Sequence, residues 1–185
     1  MPCSGFKDSM EYWDLFNAKR EKINKFHLRS GDLNELIPGE YHIVVNVWIM
    51  NDKNELLFTQ RHPDKTFPLK WECIGGSLIA GEDSITGALR EVEEEIGIKL
   101  KKENGKLIYT RKREMDFKDT YLFMENINIK EAILQEKEVI NIKWVTKEEL
   151  TEMVKNKEVA EPIIKDINKL LELNIIDNAT ISDTI

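Results

Sequence analysis

Between Gly76 and Ile98 the chain places an unusual number of carboxylates on one short stretch, GSLIAGEDSITGALREVEEEIGI. Glu91, Glu94 and Glu95 stand at i, i+3 and i+4, so on a helix all three leave the same face. Like charges so spaced destabilise an isolated helix by about 0.2–0.5 kcal/mol per pair. Ile85, Ala88, Leu89, Val92 and Ile96 form an apolar stripe at helical spacing, which pins the helix to a core. A packed helix that gathers three like charges calls for a cation to neutralise them. A carboxylate-rich, all-oxygen donor set suits a hard ion, Mg2+ or Mn2+, rather than zinc. The competing reading is a solvated acidic face, the ordinary meaning of a run such as REVEEE.

The wider spacing decides between the two. Gly76, Glu82, Arg90, Glu91, Val92, Glu94, Glu95, Gly97 and Ile98 fill every defined position of the pattern G-x5-E-x7-R-E-U-x-E-E-x-G-U, with U aliphatic. This resembles the box of the Nudix (MutT) superfamily. The resemblance implies a divalent-metal-dependent pyrophosphohydrolase that cleaves a nucleoside diphosphate linked to another moiety, by water attack on a phosphorus. Carried over position by position, Glu94 and Glu95 are metal ligands, and Glu91 is either a ligand or the base that takes the proton of water. Arg90 is an orienter that clamps Glu82 or Glu91, and Gly75 or Gly76 lends a backbone carbonyl to the metal. Glu82 and Gly97 have structural roles, Gly97 as the helix terminus. The catalytic set is then Glu91, Glu94 and Arg90, and the metal set Glu91, Glu94, Glu95 and Gly76.

The totals agree with a small soluble enzyme. The 185 residues fit one domain with modest extensions, and 41% apolar residues can build its core. No run approaches the roughly 18 apolar residues that span a bilayer. The start, MPCSGFKDSMEYWDLF, lacks a basic segment followed by an apolar one, and therefore does not read as a signal peptide. Two cysteines, Cys3 and Cys73, make neither a disulfide framework nor a CxxC metal knuckle. The expected compartment is the cytoplasm. A net charge of -7 argues against binding to DNA or RNA polymers, which favours a basic stripe. The expected partner is a small nucleoside diphosphate derivative, with no membrane, and a homodimer is left open. Metal at the carboxylates would make that region attractive to an anionic ligand.

These residues need elements to hold them. Glu11–Arg29 reads as a β-hairpin about Asn17-Ala18-Lys19-Arg20, and Asp32–Ile37 as one helical turn before the breaker Pro38-Gly39. Tyr41–Met50 reads as a central strand, with Glu55–Gln60 returning after the turn at Asn51–Asn54. Trp71–Gly75 leads into the box, Asp83 or Ser84 caps its helix, and Gly97 ends it. Further strands are expected at Lys106–Thr110, Thr120–Glu125 and Ile140–Val145. A helix capped by Thr146 runs to about Lys155, with Glu149 at capping-box spacing, and a last helix covers Glu161–Leu173. The chain divides into an N-terminal extension with the hairpin (1–37), a catalytic domain (38–173) and a tail (174–185). The order resembles the Nudix α/β/α sandwich: an α/β (α+β) architecture with a mixed sheet between helical layers and a loop-helix-loop box.

Outside the box the alternatives stay open. Arg61 and Lys65 could hold phosphates, or be two solvated loop cations. Glu136 or Glu138 could supply an extra acidic group, though LQEKEV reads equally as a polar linker. Trp48, Trp71 and Trp144 read as core, and Phe67, in a loop, as the better base-stacking candidate. GEYHIVVNVWIMN and LLFTQRHPDKTFPLKW also resemble the isopentenyl-diphosphate isomerase branch of the fold. That branch requires a cysteine and a histidine where this chain has Gly76 and Leu78, and a histidine where it has Glu35. His42 then reads as a structural histidine and Cys73 as a small buried residue. The rivals to hydrolysis are a nucleotide-sensing module without turnover and, behind it, the isomerase.

Overall fold

β3 (His42–Met50) is apolar on both faces and becomes the strand around which the sheet is built. In the computed structural model, which describes residues 11–29 and 36–176, β3 pairs in parallel with β8 (Asp116–Met124) along its whole length. Its other edge pairs antiparallel with β6 (Ile74–Ser77) and, at Met50, with β4 (Leu56–Arg61). β4 also pairs with β5 (Trp71–Glu72) and β9 (Val139–Val145), and β7 (Gly105–Lys112) closes the far edge on β8. The sheet is mixed, as the sequence led us to expect.

The alternation along β3 sorts the two cores. Val45, Val47 and Ile49 pack against Ala88, Val92 and Ile96 of α1 (Ser84–Ile96). Trp48 and Met50 face the other way, with Phe58, Trp71 and Cys73, onto α2 (Lys147–Lys155) and α3 (Glu161–Glu172). The result is helix, sheet, two helices. Thr146 caps α2 by accepting from the Glu149 N–H, but the Glu149 carboxylate turns to Lys143 rather than completing a capping box. Ile175 and Ile176 are buried beside α3, so the core reaches past the expected boundary at Leu173.

β8 begins four residues before the expected Thr120, and its early half is the least apolar part of the sheet. Asp116, Lys118, Asp119 and Thr120 are all buried. Each charge has a partner: Arg113 holds Asp116 at 2.6 and 2.7 Å, Lys118 meets Asp166 of α3, and Arg20 holds Asp119 at 2.7 and 2.5 Å. An interior strand made of paired charges carries no apolar signature.

The hairpin forms as expected, from β1 (Tyr12–Phe16) and β2 (Lys22–Leu28), with Arg20 in the left-handed region at φ 63. It docks on the box. The Ala80 N–H donates to the Tyr12 carbonyl at 2.7 Å and the Gly81 N–H to the Asp14 carboxylate at 2.8 Å. Trp13 stacks on His42, ring centroids 4.0 Å apart. His42 is buried and its pKa is lowered to about 4, chiefly by burial, so the ring is neutral and structural; stacking holds it, since its Nδ1 has no partner among the described residues. The helical turn expected at Asp32–Ile37 falls largely outside the described residues.

Candidate active site

β6 and α1 bring the box together. Asp83 caps α1 by accepting from the Thr86 N–H at 2.8 Å, and Gly97 ends it at φ 70, its N–H donating to the Glu93 carbonyl. Between them, Arg90 makes five hydrogen bonds. Its Nε and Nη2 grip Glu82 at 2.7 and 3.0 Å, Nη1 reaches Glu91 at 2.9 Å and Glu94 at 2.8 Å, and Nη2 also meets the Ser77 carbonyl at 3.0 Å. The sequence left Glu82 and Glu91 as alternatives; the guanidinium takes both, and Glu94 besides. Burial would lower the pKa of Arg90, but Glu82, Glu91 and Glu94 raise it further. Glu82 in turn accepts the Ile79 N–H at 2.9 Å, which ties the loop to the clamp.

β6 passes closely under α1 at two glycines. A Cβ at Gly76 would overlap the Glu91 carboxylate, and one at Gly75 would overlap the Val45 carbonyl oxygen across the sheet. The Gly75 N–H points instead at Glu95, 3.2 Å away. Gly75, Gly76, Glu91, Glu94 and Glu95 line one cavity of about 190 Å3, together with Glu72 and Glu138. Burial raises the Glu91 carboxyl pKa, against the pull of Arg90, and raises that of Glu95 well above its ordinary value, against the Gly75 N–H. Burial raises Glu72 too, partly offset by Arg61.

Among the described residues, no three acidic, histidine or cysteine side chains already converge on one metal position. Glu91 and Glu94 are turned onto the same Arg90 nitrogen. The donors nonetheless fit a divalent cation: they are all carboxylate or carbonyl oxygen, and the missing Cβ of Gly76 gives Glu91 its place at the cavity wall. Burial disfavours the charged forms of Glu91 and Glu95 in particular, which a bound cation would offset.

The family model of the NUDIX domain matches residues 40–167. The chain belongs to the Nudix family. The Nudix hydrolase lin0387 of Listeria innocua is 36% identical over 173 residues, which span 92% of this chain and 98% of that one. The crystal structure of DR0079 from Deinococcus radiodurans matches with TM-score 0.68 at 21% identity, over 86% of this chain and 98% of that one. A bifunctional NMN adenylyltransferase/ADP ribose pyrophosphatase from Francisella tularensis, complexed with AMP and a Mn ion, matches with TM-score 0.59 at 19% identity, over 76% of this chain and 44% of that one. The chain has the α/β/α fold of that family.

The remaining expected residues of this Nudix site divide. Arg61 and Lys65 both line the carboxylate cavity, but each is already paired, Arg61 with Glu72 and Lys65 with Glu138. Thr66 occupies the other Arg61 nitrogens at 2.5 and 3.0 Å. Glu138 therefore lies at the site, and Glu136 is exposed outside its lining. Trp48 and Trp71 are core, Trp144 packs beside it, and Cys73 is buried. Glu72 escaped the sequence reading, because one glutamate after a tryptophan carries no spacing signal.

A second cavity of about 250 Å3 opens on the α3 side and shares Arg61, Glu72, Gly75 and Gly76 with the first. Phe67 lines it, 40% exposed and at φ 54, as do Asn46, Arg113 and Lys118. Asp166, fully buried on α3, collects Lys118, Asn46 at 3.0 Å and the Tyr109 hydroxyl at 2.7 Å beside this cavity. None of that network was visible as a motif.

Proposed function

We propose that this Nudix site hydrolyses a nucleoside diphosphate derivative by water attack on a phosphorus, with Mg2+ or Mn2+ held by Glu91, Glu94, Glu95 and the Gly76 carbonyl. The observation that carries the reading is the Arg90 clamp, which sets Glu91 and Glu94 at the wall of a cavity closed by Gly76 and Glu95. When bound, the metal neutralises diphosphate oxygens and lowers the pKa of water. Arg90 keeps the carboxylates oriented through Glu82, so little reorganisation is left for the reaction itself. Glu91, with its raised proton affinity, suits the role of general base better than an ordinary carboxylate. Its alternative role as a ligand is compatible with the same position.

The second cavity would take the group attached to the diphosphate, with Phe67 as a stacking surface. At about 190 and 250 Å3 the two compartments suit a small molecule rather than a polymer. The Francisella enzyme makes ADP-ribose a sensible first compound, although a likeness at 19% identity carries only the fold. No helix among the described residues is long and apolar enough to cross a membrane.

The test is a panel of nucleoside triphosphates, ADP-ribose, dinucleotides and prenyl diphosphates with Mg2+, read as released phosphate or monophosphate. Cleavage of at least one diphosphate at enzymatic rates supports the reading. Binding without cleavage across the panel favours a sensor, and conversion of isopentenyl to dimethylallyl diphosphate would restore the isomerase.

A further inference from the structure

Three cations line the carboxylate cavity, Arg29, Arg61 and Lys65, and they are not equivalent. Arg61 is occupied on all its nitrogens, by Glu72 and Thr66, and Lys65 is held by Glu138, a neighbour in the same cavity. Arg29 comes from elsewhere. It follows the last residue of β2, and its N–H donates to the Glu11 carbonyl at 2.8 Å, closing the open end of the N-terminal hairpin. The docking of β1 on Ala80 and Gly81 fixes that open end over the box, so Glu11 and Arg29 line the cavity together with the helix carboxylates. Neither residue lies within 40–167, the part matched by the NUDIX domain.

We propose that Arg29 is a phosphate-binding residue of the active site, supplied by the hairpin and held in reserve by Glu11. Among the described residues, the Arg29 side chain is hydrogen-bonded only through Nη1, to Glu11 at 2.7 Å. Both side chains are well exposed, 44% for Arg29 and 36% for Glu11, and exposed pairs of this kind contribute little. A diphosphate offers several charged oxygens to a planar guanidinium, which favours a bidentate contact over the single one made by Glu11. The carboxylates of the cavity would otherwise repel that ligand. Arg29 holds Glu11 through Nη1 alone, and among the described residues its Nε and Nη2 make no hydrogen bond, so it can offer them to the ligand. The N-terminal extension is on this account part of the substrate site as well as its brace.

This inference rests on the proposed diphosphate chemistry, and the experiment separates the two. Binding of methylenediphosphonate, an uncleavable diphosphate mimic, is measured calorimetrically with Mg2+ for wild type, Arg29→Met, Arg29→Lys and Glu11→Gln. Melting temperatures are recorded for each. Arg29→Met should weaken binding at least tenfold, Arg29→Lys should fall between it and wild type, and Glu11→Gln should bind as tightly as wild type or tighter. Opposite directions for the two partners are the signature of release onto a ligand. If Arg29→Met binds within twofold of wild type, or if Arg29→Met and Glu11→Gln weaken binding equally, Arg29 only closes the hairpin and the inference is wrong. If wild type neither binds the probe nor cleaves any compound of the panel, the diphosphate reading falls and takes this inference with it.

Discussion

Replacing Glu95 by glutamine separates what the site costs the fold from what it gives the reaction. The amide oxygen can still accept the Gly75 N–H, which lies 3.2 Å from the carboxylate, and the new NH2 faces a cavity lined by the acceptors Glu72 and Glu138. What is lost is a charge. Burial and the neighbouring charges of Glu72, Glu91 and Glu138 all make that charge unfavourable in the metal-free protein. Removing it should stabilise the metal-free fold by on the order of 1 kcal/mol, and each kcal/mol is worth about 2–4 °C in Tm for a chain of this size. Turnover should move the other way. Loss of one electrostatic stabiliser of the transition state costs on the order of 100-fold, about 2.7 kcal/mol. Glu93→Gln is the control. Glu93 lies about 100° round the helix from Glu94, is half-exposed, and pairs with Lys99 at 3.2 Å. Its kcat/KM should stay within about twofold of wild type, as for an exposed pair of little worth. Thermal melts in EDTA and initial rates in Mg2+ test both halves. Equal rate losses for Glu93→Gln and Glu95→Gln, or a metal-free Glu95→Gln protein that melts several degrees lower, would refute the one-face metal site.

Three further outcomes follow from the geometry. Glu91 and Glu95 have folded-state pKa values above the ordinary 4.5, so above that pH the folded state keeps protons that the unfolded chain has released. The metal-free Tm should therefore fall as pH rises from 4.5 through the raised values, and the slope should flatten in Glu95→Gln and in saturating Mg2+. Gly76→Ala puts a methyl where the Glu91 carboxylate sits, and should lower kcat by on the order of 100-fold while circular dichroism shows the fold intact. Arg20→Met strands the buried Asp119 carboxylate, which Ser84 and Thr110 then hold alone. Denaturant melts should show a loss of about 2–3 kcal/mol, below the full value for a buried pair because Arg20 is one-third exposed.

What was legible in the sequence was whatever repeats at a fixed spacing. The carboxylates of the box, Arg90, the caps at Asp83 and Gly97 and the apolar stripe of α1 all sit within one short segment, where helix geometry alone converts spacing into position. The strands of the two cores were legible through their apolar residues. The charged half of β8 was not, because Lys118 and Asp119 are made tolerable by Asp166 and Arg20, far along the chain in opposite directions. In the sequence Arg61 and Lys65 read either as phosphate cations or as solvated loop cations, because their partners Glu72 and Glu138 are brought to them only by the pairing of β4 with β5 and β9. The approach of Arg29 depends on how the hairpin docks, for which the sequence has no periodic sign.

The most direct test of the account is binding of Mn2+ to the isolated protein, followed by electron paramagnetic resonance. Wild type should take up Mn2+ with saturable affinity, Glu93→Gln should match it, and Glu94→Gln and Glu95→Gln should each weaken it at least tenfold. Mn2+ binding left unchanged by Glu94→Gln and Glu95→Gln would contradict the assignment of the helix carboxylates as the metal site.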